Sequence, residues 1–170
     1  MTQPNYILLP VSSVFIFVSL LVTFLLNFLP WGTTPGVPDF VALTLVFWSI
    51  HQPRKVGIGV AFVMGLLIDV HTASLLGENA LAYTLLTYFS ITIHRRVLWF
   101  PPLKQTLYVF PLFLLAQIIQ AAIQFLVNGK FPTLLFFTQS VVTAALWPLA
   151  TWILLAPQRR AVDRDDTRPI

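Results

Sequence analysis

Long apolar runs separated by short polar breaks set the plan of this chain. A membrane-spanning helix needs about 20 predominantly apolar residues at a rise of about 1.5 Å each. The runs Tyr6–Leu29, Leu107–Val127 and Leu134–Ala156 meet that length, and Leu75–Ile93 comes close to it. The stretch from Phe40 to Val70 is too long for one helix and is interrupted at His51-Gln-Pro-Arg-Lys55. Pro53 cannot donate a backbone hydrogen bond, and Arg54 and Lys55 resist burial. The stretch can be two short helices, Phe40–Ile50 and Val56–Val70, or a re-entrant hairpin whose tip stops inside the bilayer. A tip at mid-membrane strands two cations in hydrocarbon, so the crossing pair is preferred. The pattern predicts an all-α integral membrane protein of six transmembrane helices, the second and third short. Residues 1–156 form the polytopic domain and residues 157–170 a polar cytoplasmic tail.

Composition strengthens this reading. Hydrophobic residues make up 57% of the chain and charged residues 9%, against about 25% charged in a soluble domain. The chain contains no cysteine, which excludes disulfides, thiol nucleophiles and cysteine-ligated metals. The segment before Tyr6 has no Lys or Arg, and the first run is too long for a signal peptide and lacks a small-residue cleavage site. It reads as an uncleaved transmembrane helix.

The net charge of +4 is an orientation signal, and no nucleic acid is expected as a partner. With the N-terminus inside, the cytoplasmic loops receive Arg54, Lys55, Arg95, Arg96, Lys104, Arg159, Arg160, Arg164 and Arg168, and the outside receives Lys130 alone. This asymmetry predicts an N-in, C-in topology. Trp31, Trp99 and Trp152 fall near the predicted interfaces. His94-Arg95-Arg96 is placed to touch anionic membrane lipids.

Polar and small residues inside the apolar runs mark where helices meet. Gly57, Ala61, Gly65 and Asp69 follow four-residue steps and share one face of the third helix. That stripe suits either the docking of a partner's transmembrane helix or packing within the bundle. Gln117, Gln120 and Gln124 share a face of the fifth helix, which should meet another helix or a polar cavity. Ser19, Thr23 and Asn27 do the same in the first helix, and Pro148 should kink the last one.

Asp39, Asp69 and Glu78 lie at the predicted outer helix ends. Asp39 and Glu78 start helices, where a carboxylate offsets the macrodipole. Asp69 ends one, so it requires a partner or water. Asp69-x-His71 does not follow helical ligand spacing, and no nucleophile motif, phosphate loop or H-E-x-x-H occurs. No catalytic apparatus and no cofactor are expected.

Pro38-Asp39, Trp48, the His51–Gly57 segment, Gly65-Leu-Leu-Ile-Asp69, Leu76-Gly77-Glu78-Asn-Ala80-Leu81 and Leu146-Trp147-Pro148 occur in an order that resembles the bacterial MreD family. These are rod-shape-determining proteins of the inner membrane. The likeness covers most of the chain, and its most specific part is G-L-L-x-D followed by L-G-x-x-A-L. It implies a non-enzymatic component of the cell-elongation machinery, or elongasome. Such a protein binds MreC and works beside MreB, RodA and its penicillin-binding transpeptidase in peptidoglycan synthesis. It also implies a fold similar to the substrate-binding components of energy-coupling-factor transporters. Asp39, Gly65, Asp69, Gly77 and Trp147-Pro148 are the matching positions. Partner contacts are expected at Gly57, Ala61, Gly65, Asp69, Gly77, Glu78 and Asp39, and assembly into a homo-oligomer stays open. Two rival classes remain. One is a small-molecule-binding membrane component of a transporter, which needs a polar cavity. The other is a membrane enzyme, which needs Asp39, Asp69 and Glu78 to converge.

Overall fold

Ser12 ends the extended entry of the chain and starts the first helix. Its hydroxyl accepts a hydrogen bond from the Phe15 N–H at 3.2 Å, the usual N-cap interaction. In the computed structural model, which describes residues 7–8, 11–29, 36–129 and 131–160, α1 therefore spans only Ser13–Asn27. The expected helix from Tyr6 is corrected at its start: Ile7–Leu8 (β1) is extended and pairs antiparallel with Arg159–Arg160 (β2). Trp31, Lys130, Arg164 and Arg168 lie outside the described residues.

The other helices are α2 (Phe40–His51), α3 (Ile58–Thr72), α4 (Glu78–Leu98), α5 (Pro102–Asn128), α6 (Thr138–Ala145) and α7 (Trp147–Leu155). Among the described residues these make six helical segments, because α6 and α7 continue one another across Leu146. The break is the expected kink: Pro148 has no N–H to return to the preceding turn. Two segments, Pro102–Asn128 and Leu134–Gln158, are long and apolar enough to cross a membrane. Pro111 sits inside α5 without ending it.

The short helix α2 is enclosed by the rest of the bundle. Every residue from Val41 to Ile50 is buried, and α1, α4, α6 and α7 pack around it. A helix apolar on all sides belongs in a core, and this one, about 18 Å long, is the core rather than a lipid-facing strut. Two tryptophans anchor it. Trp48 Nε1 donates to Ser19 Oγ of α1 at 2.8 Å. Trp147 Nε1, beside Phe47, donates to Gln105 Oε1 of α5 at 3.0 Å.

The exterior is apolar instead. Phe17, Val63, Val70, Leu103, Leu107, Leu126, Leu134 and Trp152 all exceed 50% exposure, far more apolar surface than a soluble monomer presents. The ends of the bundle differ in charge. The 52–57 turn with exposed Arg54 and Lys55, the end of α4 with Arg95 and Arg96, and the first turn of α5 with Lys104 lie at one end. Lys55 Nζ ties that turn to the Val11 carbonyl before α1. Asp39, Asp69 and Glu78 are at the opposite helix ends.

Candidate functional site

The acidic end is built on the corner between α3 and α4. Gly65 lets the two helices touch: a Cβ added there would lie 2.3 Å from Ala80 Cα. The chain then turns through Ala73, in the left-handed region at φ +49°, and Gly77 at φ +104°, a conformation that favours glycine. This brings the first turn of α4 onto Asp69. The Asp69 carboxylate accepts from the Gly77 N–H (2.8 Å), the Asn79 N–H (2.8 Å), Asn79 Nδ2 (2.9 Å) and Ser74 Oγ (3.2 Å). Asp69 thus ends one helix and caps the next. Its required partner is the α4 N-terminus, where orphan N–H groups and the macrodipole both favour an anion.

Of the two roles open to the Gly57-Ala61-Gly65-Asp69 stripe, this corner shows packing within the bundle over most of its length. Ala61, Gly65 and Asp69 are buried, and α4 of the same chain covers the stripe. Of the four positions, Gly57 has no neighbour within 4 Å of an added Cβ. It caps α3 at the basic end of the bundle.

Amides extend the network into α5. Gln120 Nε2 donates to Asn79 Oδ1 at 2.8 Å, and Gln124 Nε2 donates to Glu78 Oε1 at 2.7 Å. Gln117 Nε2 reaches the Phe136 carbonyl and Gln139 Oε1, at 3.0 and 3.1 Å. The glutamine face of the fifth helix meets polar partners, as its spacing demands. Asp39 caps α2 through Ala42 (2.9 Å) and accepts from Tyr83 Oη of α4 at 2.6 Å. Its own N–H donates to Thr143 Oγ1 of α6 at 3.0 Å, and Asn27 of α1 hydrogen-bonds the same carboxyl. One residue therefore ties four helices.

These groups border a cleft of about 710 Å³ lined by Asp39, Glu78, Asn79, Tyr83, Gln120 and Gln124, among others. No Lys or Arg is among its described lining residues. Asp39 and Glu78 share the cleft, whereas Asp69 sits behind Asn79 and does not line it. Two of the three acids therefore line one cleft, and the third is held one side chain away from it by Asn79. Among the described residues no group of three or more His, Asp or Glu side chains is arranged to hold a metal ion.

The sequence profile of rod shape-determining protein MreD matches residues 7–155. The chain belongs to the MreD family. It is 31% identical over 144 residues to the rod shape-determining protein MreD of Haemophilus influenzae, covering 79% of this chain and 82% of that protein. No solved structure matches. MreD is a family of membrane proteins that determine cell shape, not a known enzyme family, and membership supports a rod-shape-determining role. In this MreD chain the motif G-L-L-x-D followed by L-G-x-x-A-L is the α3–α4 corner itself: close approach at Gly65 and Ala80, cap at Asp69, left-handed turn at Gly77.

The sequence reading missed Asn79, Tyr83 and the Gln105–Trp147 pair. Ala80 carried a readable signal, since a glycine stripe on one helix needs a small residue opposite. Tyr83 carried none, because its partner Asp39 lies 44 positions away in sequence.

Proposed function

We propose that this chain is a non-enzymatic, multi-pass component of the bacterial inner membrane. It is oriented N-in and C-in, maintains rod shape within the cell-elongation machinery, and supports lateral peptidoglycan synthesis by binding MreC. MreB, RodA and its transpeptidase are then indirect partners. The observation that carries the reading is the family match across residues 7–155. The internal use of the acids supports it, because Asp69 is consumed as a helix cap. With the α3 stripe filled by α4, the contact points left for MreC are the helix ends at Asp39, Gly77 and Glu78 on one side and Gly57 on the other. In-cell photocrosslinking from these four positions tests this. Crosslinks to MreC from one end are expected; their absence from both ends, with MreC still co-purifying, moves the contact to the lipid-facing helix surfaces.

A second reading, a small-molecule-binding membrane component with a fold similar to the substrate-binding parts of energy-coupling-factor transporters, draws its support from the polar cleft alone. Its size falls in the range of about 300–1,000 Å³ common for ligand pockets.

A further inference from the structure

We propose that the cleft at the acidic end binds a small ammonium-bearing molecule, with Asp39 and Glu78 facing its charged group. The site deepens the small-molecule reading and shares Asp39 and Glu78 with the contact points proposed for MreC. Three observations carry it. The cleft has the volume of a ligand pocket. Its described lining carries two carboxylates, Asp39 and Glu78, beside one imidazole, His71, and no Lys or Arg, and a surplus of carboxylates concentrates cations. Behind it lies a recess of about 20 Å³, bordered by Asp39, Gln117, Gln120 and Gln139. Gln117 is 5% exposed, and its Oε1 has no hydrogen-bond partner among the described residues.

That unpaired atom is an acceptor, as are both carboxylates. A buried acceptor without a donor costs free energy, so this one atom favours a ligand or water that brings an N–H or O–H. The recess borders Asp39 and not Glu78, and has room for about one water. Glu78 is only 6% exposed and its Oε1 already accepts from Gln124, which holds the carboxylate in place for a ligand. Ile68, Leu135 and Phe136 supply apolar wall for a carbon skeleton. An ammonium group provides both the missing charge and the missing donor, whereas a phosphate or carboxylate ligand provides neither.

The absence of cysteine in the chain permits a clean test on the purified full-length protein in detergent. A single cysteine is introduced as Thr72→Cys at the exposed cleft rim. It is labelled with methanethiosulfonates carrying either trimethylammonium or sulfonate, each rate normalised to its reaction with a free thiol. The cationic reagent should react about ten-fold faster, and ethanolamine or glucosamine should slow it while glucose does not. Glu78→Gln keeps the size of the side chain and should abolish both effects. Asp39→Asn serves the same purpose if Glu78→Gln elutes as an aggregate. Equal normalised rates, no protection by either amine, equal protection by glucose, or unchanged behaviour in a folded variant would each overturn the site. None of these outcomes bears on MreC, whose crosslinks are read separately.

Discussion

Gly65 and Ala80 meet with so little space that a Cβ on Gly65 would lie 2.3 Å from the Ala80 Cα and 2.6 Å from its backbone nitrogen. The obstacle is backbone, so rotamer changes cannot relieve it. Gly65→Ala should destabilise the protein by about 2–3 kcal/mol, the upper part of the range for overpacking, and Gly65→Leu should fail to accumulate in the membrane. Thermal unfolding and membrane yield measure this. Wild-type stability for Gly65→Leu would mean that α3 and α4 do not pack in this way.

Asp69 makes its bonds across the same corner. Asp69→Ala should cost about 3 kcal/mol, since it removes a charged acceptor and leaves buried donors without a partner. Asp69→Asn should cost less, because an amide oxygen still accepts some of these bonds. Amide hydrogen exchange at Gly77 and Asn79 gives the local readout. Both should lose protection in Asp69→Ala, and full protection would contradict the cap.

The corner also marks where sequence reading reached its limit. The apolar runs located six segments, Pro148 located the break at Leu146, and helix-end chemistry placed Asp39 at the start of α2 and Glu78 in the first turn of α4. The glutamine spacing predicted a polar face on α5, and the structure supplies its partners, Asn79 and Glu78. The burial of α2 was not legible, because in a bilayer both the protein core and the surroundings are apolar and hydropathy does not distinguish them. The same degeneracy hid which partner fills the Gly65 stripe. Asp39 and Tyr83, joined across 44 positions, depend on how α2 and α4 pack, which no local pattern encodes.

Trp147 and Gln105 form a buried pair between α7 and α5. Trp147→Phe leaves Gln105 Oε1 without its donor and trims a fully buried ring, so it should cost about 2–4 kcal/mol from both effects. Gln105→Leu removes the acceptor and should cost about 1–2 kcal/mol. The double variant should be less destabilised than the sum of the singles by about 1 kcal/mol. Additive losses in thermal unfolding would indicate that the two side chains do not interact.

Charge segregation between the two ends of the bundle gives the most direct test of orientation. Arg54 and Lys55 are exposed in the α2–α3 turn, and Lys104 lies in the first turn of α5, while Asp39 and Glu78 stand at the other end. Basic loops are retained on the cytoplasmic side, so the cleft should open outward. In a chain with no cysteine, a membrane-impermeant maleimide added to intact cells should label Thr72→Cys and spare Arg54→Cys until the membrane is opened. The reverse result would place the cleft in the cytoplasm and reverse the proposed topology. Labelling of both positions in intact cells would show that the basic turn and the cleft do not lie on opposite sides of the membrane, although they sit at opposite ends of the fold.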